Sequence, residues 1–500
     1  MSLHIFKSNS TPKDPTNIER LHYIATGSSA EDLYLPFTTN IQSDIDRMFE
    51  FPNMIVIDRE QLLPNQFETY RQLKLGILSL EYSNKKYPCY VKLYFYSSCD
   101  HTMKKYKQLL INPENKLQIT ESKVESNENR KYFSPDDFLA WFERNWPSEA
   151  NELIQRHGPS LCLTTANDPN LPLPMDHVPS FRCYCWPKPA TSWVIRLRKS
   201  DWPNKDLIDK IVSFGCHLVV LPHPLSVDKN EWRLSFSVAE VLLAQSLNDY
   251  QKKCYLIMKA IFKVHINSDY PDTICSYYLK TIFYWFCETT RKEQFTYETL
   301  YDRFIDYADL IVECFREKYI EHYFVSNHNL IDHMDEHILM KIVDKFSEIK
   351  MNLLNIIEKC EQYYYETNRF LRFSPIIDEL DKSTDDNTCI IVYYASFIQA
   401  LVLQQRSIDY SLLVTSECMD RNYLAKCSDN AAKYLINAVG TLANLIADTD
   451  ECSLQFLKAN DIIIKICEVK LFTNNDKTYE TAKKNYDEVK TKLETLNTNS

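Results

Sequence analysis

Glycine is what this chain has least of: five residues in 500, against a usual share of roughly 7%. Few positions can therefore take a positive φ cheaply, which argues against glycine-punctuated sandwiches and barrels and for mostly helical structure. The sixteen cysteines include no CxxC pair; the nearest two, Cys183 and Cys185, lie in a β-rich stretch and are a weak metal signal. Spread from Cys89 to Cys467 without a framework, they read as reduced thiols of a cytoplasmic protein. No apolar stretch opens the chain, so no signal peptide is expected. No membrane span is expected either, because the best apolar run, CIIVYYASFIQALVLQ from Cys389, is too short and carries Ser and Gln. Tryptophan is missing from the last 200 residues, and the net charge of −11 falls wholly there. Residues 1–300 balance 35 basic against 35 acidic groups, and residues 301–500 carry 22 against 33. Two compositional regimes imply two kinds of domain, and an end this acidic excludes a chain that coats nucleic acid along its length.

What is there is patterned. Short β-rich runs recur from His22 to about Trp193: LHYIAT before Gly27, MIVID at 54–58, LGILSLEY at 75–82 and YPCYVKLYFY at 87–96. The last two flank Asn84-Lys85-Lys86 and read as a hairpin. A helix start is marked by Ser134 as N-cap, Pro135 at the first helical position and Asp136 and Asp137 in the first turn. Residues 112–132 are polar and read as a loop. From about Asp206 helical spacing dominates, in VAEVLLAQSL, CYLIMKAIFK, SYYLKTIFYWFCE and LYDRFIDYADLIVECF. A polar break at 381–388 separates a further helical region, and the polar C-terminal tail is a solvated helix or disordered.

Gly27-Ser28 follows a β-rich run directly, a place where backbone N–H groups and a hydroxyl can hold a phosphate. Asp44 and Asp46 stand two apart in SDIDRMFEF, so on a strand both carboxylates project from one face. They repel unless solvated or bridged by a hard divalent cation such as Mg²⁺. The pairing of GS with DxD within about twenty residues is the signature of polymerase-β-like nucleotidyltransferases, whose site needs a third carboxylate from a neighbouring strand. Asp176 in LPMDHVPSFRCYCWP is the candidate, and Asp168 in TTANDPN the poorer one.

The stretches TGSSAEDL, SDIDRM, MDHVPSFRCYCWP, EWRLSFSVAE and CSYYLKTIFYWFCE occur in the order seen in the Mab (male-abnormal) domain proteins. Among these the chain resembles animal cyclic GMP-AMP synthase and its cGAS-like receptors. The resemblance implies an α+β fold. A polymerase-β-like nucleotidyltransferase lobe with a mixed sheet would span residues 1–200, packed on a helical Mab-type lobe over 201–360, with an all-α acidic extension over 361–500. It implies that Gly27 and Ser28 hold the donor triphosphate and that Asp44, Asp46 and Asp176 are catalytic and hold two Mg²⁺ or Mn²⁺ ions. Arg233 and Lys259 would contact nucleotide phosphate or base. Ser235, Ser237 and Glu240 would line the acceptor-base pocket, with Ser276 on phosphate and Tyr277 stacked on a base. The implied activity is synthesis of a cyclic dinucleotide second messenger from two nucleoside triphosphates, ATP and GTP being the expected pair, in a ligand-activated innate immune sensor.

Other readings of the same residues stay open. Trp232, Leu234 and Phe236 alternate with Arg233, Ser235 and Ser237 as in any half-buried strand; Tyr277 suits a core helix; Lys259 and Lys263 suit a solvated face. Two departures from the family pattern stand out. The gap between Ser28 and Asp44 is lengthened by TTNIQ, and the run VLLAQSLNDYQKK after Glu240 carries no His and no spare Cys. No structural zinc is therefore expected, and double-stranded RNA or another ligand, rather than DNA, is the expected activator. Basic clusters at Lys104, Lys105 and Lys107 and at Arg196, Arg198 and Lys199 are candidates for that face. A catalytically silent Mab-domain adaptor or regulator is the competing reading, and a linear oligonucleotide synthase using the same site is a third.

Overall fold

The computed structural model describes residues 5–7, 22–31, 45–61, 75–82, 84–95, 132–145, 152–165, 175–228, 230–270 and 273–353, with isolated positions around these out to 360 and at 391 and 395. Asp44, Asp168, residues 112–131, the Lys104–Lys107 cluster and nearly all of the 361–500 extension lie outside them.

Ten strands form one mixed sheet: β1 (Ile5–Lys7), β2 (His22–Thr26), β3 (Ile45–Ile57), β4 (Gly76–Glu81), β5 (Tyr90–Phe95), β6 (Glu152–His157), β7 (Ser160–Thr165), β8 (Met175–Cys183), β9 (Cys216–Val219) and β10 (Trp232–Ser235). The order is β1-β2-β3-β4-β5-β10-β9-β8-β7-β6, and β3 also pairs with β8, so six strands close on themselves. The long β3 makes this possible. Its first half pairs antiparallel with β2 and parallel with β8, its second half pairs parallel with β4, and the register shifts between Glu50 and Ile55. Pro52 sits in that interval and has no N–H for a ladder, so a break belongs there. The expected hairpin is present, with Leu78 opposite Phe95 and Glu81 opposite Lys92.

Helices dominate the described chain from about Asp206 onward, apart from β9 and β10, as the apolar spacing there implied. The α-helices are α1 (Gly27–Ala30), α2 (Pro135–Asn145), α3 (Thr191–Ile195), α4 (Lys205–Phe214), α5 (Ser237–Ser246), α6 (Asp249–Ile261), α7 (Ser276–Thr289), α8 (Leu300–Arg316) and α9 (Glu336–Met351). Helix α2 starts where expected, with Ser134 Oγ accepting from the Asp137 N–H at 3.4 Å. Helix α6 is closed by a capping box between Asn248 and Gln251. A lobe boundary at residue 200 does not divide the sheet. Strands β9 and β10 lie beyond it, because the apolar pairs Leu218 and Leu234 fill the gap between β8 and β5.

Aromatic side chains weld the layers. Phe51, Phe138, Phe181 and Trp232 gather between the sheet and α2, with Phe138 and Phe181 centroids 4.7 Å apart. Trp232 also donates its indole N–H to the Phe133 carbonyl at 3.0 Å. Trp186, Trp193, Phe236 and Phe324 do the same between the sheet and the helical lobe. Cavity-forming losses here would cost about 3–5 kcal/mol each. No helix among the described residues is long and apolar enough to cross a membrane.

Candidate active site

The cleft between sheet and helices gathers every described residue that the sequence nominated for nucleotide or metal. Gly27, Ser28, Asp46, Asp176, Arg233, Ser235, Ser237, Glu240, Lys259, Ser276 and Tyr277 all line one cavity of about 310 Å³. Asp44 and the poorer third-carboxylate candidate, Asp168, fall outside the described residues.

Strand register brings the carboxylates together. Asp46 on β3 is the direct partner of Asp176 on β8 in a parallel ladder, which sets their backbones about 4.8 Å apart. The antiparallel β2 places Thr26 opposite Asp46 on its other side. The chain then turns at Gly27, whose φ is +67°. A Cβ on that glycine would lie 1.7 Å from Asp46 Oδ2. Both the left-handed backbone and the close approach of the turn to the carboxylate thus exclude any side chain.

Two adjacent carboxylates beside a bare backbone turn are a hard-oxygen donor set, and they fit a divalent cation such as Mg²⁺ or Mn²⁺. Among the described residues no group of three or more His, Cys, Asp or Glu side chains is assembled for a metal; the third carboxylate of the expected trio, Asp44, is not among them.

Strand β10 and the helices supply the opposite wall. Arg233 on β10 is half-buried between Trp232 and Leu234, both fully buried, so the strand's alternation serves core on one face and cleft on the other. Ser235 and Ser237 hydroxyls lie 2.9 Å apart. Lys280, which the sequence reading missed, sits at the centre. Its ammonium donates to Glu31 Oε1 at 2.6 Å and to Glu240 Oε2 at 2.7 Å, and lies 5.6 Å from the Tyr277 ring centre. Burial would lower the Lys280 pKa, but Glu240 and Glu31 overcome it and hold the amine well above its ordinary value. Burial in turn raises Glu31 despite Lys280. The signal for Lys280 was its place four residues after Ser276, on the same helix face; Glu31 likewise follows Ser28 by three.

Two nominated residues are engaged within the protein. Glu240 is 7% exposed and paired to Lys280, and Lys259 is 2% exposed with Nζ 2.6 Å from the Leu33 carbonyl. Burial, then Lys263, push the Lys259 amine down to about 7, with Glu31 acting against them.

Beyond Arg233, Ser235, Ser237, Glu240 and Tyr277 the cleft continues into a second chamber of about 400 Å³, walled by Tyr90, Tyr278, His223, His322, His328 and His333. His322 Nδ1 accepts from the backbone N–H groups of Phe324 and Val325, both at 3.1 Å. Its proton therefore sits on Nε2, which donates to the Tyr277 hydroxyl oxygen at 3.2 Å. Burial holds His322 well below its usual range, and brings His328 to about 4.

The basic face expected at Arg196 and Arg198 is not a free one. Arg196 donates twice to Glu288, at 2.7 and 2.6 Å, and stacks 4.0 Å over Trp285, while Arg198 donates to the Trp193 carbonyl. Lys199 alone of that trio is exposed. Internal pairing wins because two partly buried guanidiniums lie beside the buried Glu288 carboxylate.

Comparison with known families assigns both lobes. Residues 60–246 match the model described as Mab-21 protein nucleotidyltransferase domain, and residues 250–348 match the Mab-21 protein HhH/H2TH-like domain. Gly27, Ser28 and Asp46 precede the first match. Similar curated proteins include Protein mab-21-like 3 of Xenopus laevis, 26% identical over 213 residues that are 41% of this chain and 54% of that protein. Another is Protein mab-21-like 3 of Danio rerio, 25% identical over 173 residues, 33% of this chain and 41% of that protein. A third is a Cyclic GMP-AMP synthase-like receptor of Magallana gigas, 31% identical over 174 residues, 33% of this chain and 29% of that protein. The chain thus spans about half, or less, of the relatives it matches.

Proposed function

The chain belongs to the Mab-21 family, and from that premise we propose that it is a metal-dependent nucleotidyltransferase joining two nucleoside triphosphates into a cyclic dinucleotide. The observation that carries the reading is the adjacency of Asp46 and Asp176 on paired strands, with the Gly27 turn against the first carboxylate. The two contiguous chambers, about 310 and 400 Å³, suit two nucleotides better than one.

In this reading Asp46, Asp176 and Asp44 hold Mg²⁺ or Mn²⁺, which when bound neutralises phosphate charge and favours ionisation of an attacking hydroxyl. The protein's own part is positioning. The Gly27–Ser28 turn offers N–H groups and a hydroxyl to the donor triphosphate. Arg233, at the junction of the chambers, offers guanidinium donors to phosphate or base. Tyr277 presents its ring to a base, held by His322. Ser235 and Ser237 offer hydroxyls that accept or donate to the second base. A ribose hydroxyl of one nucleotide attacks the α-phosphorus of the other in line, pyrophosphate leaves, and a second such step closes the ring.

A catalytically silent nucleotide-binding adaptor is favoured by one observation, the commitment of Glu240 and Lys259 to partners within the protein. One experiment separates the readings. Purified protein is incubated with labelled ATP, GTP, CTP and UTP and Mg²⁺ or Mn²⁺, with and without double-stranded RNA or DNA, then treated with phosphatase. A phosphatase-resistant small product, lost in Asp46→Ala and Asp176→Ala, is the expected result. Full activity in those variants refutes the mechanism. Thermal stabilisation by nucleotide without any product establishes the adaptor.

A further inference from the structure

A four-residue helix cannot hold itself in place, because nucleation costs more than one turn of hydrogen bonds returns. Helix α1, which carries Gly27 and Ser28, must be ordered by what touches it. Three consecutive helices, α5 at the end of the nucleotidyltransferase match and α6 and α7 within the C-terminal match, each send one side chain to the last residue of α1 or to the stretch just after it. Gln245 of α5 donates to the Ala30 carbonyl at 3.4 Å, Lys259 of α6 donates to the Leu33 carbonyl at 2.6 Å, and Lys280 of α7 donates to the Glu31 carboxylate at 2.6 Å.

Two of these ties are costly. Lys259 and Lys280 are both buried, and a buried amine is tolerated only where its hydrogen bonds answer a geometric need that an apolar side chain would not. The need is visible at the other end of the turn. Gly27 sits at φ +67° with no room for a Cβ beside Asp46, so the turn is held in a left-handed conformation within van der Waals reach of the carboxylate.

We infer that Gln245, Lys259 and Lys280 are positioning residues. They fix the Gly27–Ser28 turn from the helical side, so that it takes a triphosphate at the Asp46–Asp176 pair. The inference rests on the nucleotide reading and deepens it: the helices packed against α1 set the competence of a phosphate site that lies at the edge of the sheet. Lys280 also joins Glu31 to Glu240, so a shift of α7 moves both the phosphate turn and the Ser235–Ser237 segment.

The test uses the full chain carrying Lys259→Met and Gln245→Ala, singly and together, since neither leaves a buried carboxylate unpaired. Lys280→Arg, which keeps the charge, is the third variant. Amide hydrogen exchange is followed over residues 27–35, with β8 and α8 as internal references. Binding of Mn²⁺–ATP, inorganic tripolyphosphate and adenosine is measured in parallel. The expected result is exchange at 27–35 faster by about tenfold in the double variant with the references unchanged. ATP and tripolyphosphate should bind about 10–100-fold more weakly, as for other supporting-shell losses, with adenosine unaffected and Lys280→Arg close to the native protein. Unchanged exchange at 27–35 overturns the inference. So does equal weakening of ATP and adenosine, or native ATP binding in the double variant. Native protein that binds neither ATP nor tripolyphosphate refutes the nucleotide reading instead, and the exchange arm still decides the ties.

Discussion

Gly27→Ala is the sharpest perturbation of the site, because it separates backbone strain from displacement of the carboxylate. An alanine at φ +67° pays about 1–2 kcal/mol for the left-handed conformation. Its Cβ would also stand 1.7 Å from Asp46 Oδ2 and 2.6 Å from Asp46 Cγ, so the turn or the carboxylate must yield by more than about 1 Å to restore ordinary contact. Strain alone lowers the melting temperature by about 2–8 °C in a domain of this size. Displacement of a reacting group by about 1 Å costs of order 100-fold in rate. The control is Gly158→Ala. That glycine has φ +57° but a new Cβ there meets only Leu221 Cδ1, at 3.8 Å, so it pays the strain without touching a carboxylate. The assay is a thermal melt without nucleotide, then turnover and Mn²⁺–ATP affinity for both variants. The expected pattern is similar melting losses and loss of turnover in Gly27→Ala alone. Native turnover in Gly27→Ala would refute the argument that the bare turn sits against Asp46 for a functional reason.

Three further outcomes follow from the buried charges. Lys280→Met leaves Glu31 and Glu240 buried without their cation and should destabilise the protein by about 3–5 kcal/mol, read from denaturant midpoints; a native midpoint would show the triad to be solvated. His322 and His328 are held below the usual histidine range, His328 to about 4. The unfolded chain therefore takes up protons that the folded one refuses as pH falls below about 6.5. Stability is present above that pH and is lost toward pH 4, and replacing both with Phe or Asn should flatten this limb of the pH–stability curve. Lys259 titrates near 7 when folded and near 10.5 when unfolded, so between those values the unfolded state binds more protons and stability rises with pH. That rise should vanish in Lys259→Met, and its persistence would mean the amine is not buried.

The elements themselves were legible in the residues. Ser134-Pro135-Asp136-Asp137 announced a helix start, alternation in WRLSFS announced a strand with one buried face, and the scarcity of glycine made Gly27 worth notice. The Gly-Ser and Asp-x-Asp pairing pointed at the cleft before any fold was known, because such residue types are expensive to keep unless a ligand answers them. The strand β9 beyond residue 200 was harder to weigh, since four residues barely interrupt a run of helical periodicity.

What the sequence determined by itself was which faces are apolar and which residue types could meet a phosphate or a cation. Tertiary structure decided which of them meet. Asp46 stands beside Asp176 only because β3 and β8 pair in that register, a partnership between distant segments that no local period encodes. It also diverted residues the sequence had nominated for ligands or for a basic face. Lys259 goes to the Leu33 carbonyl, Glu240 to Lys280, and Arg196 to Glu288. The physical reason is that a charge carries no address: in a buried setting it binds the nearest opposite charge or carbonyl, and only packing determines which one that is.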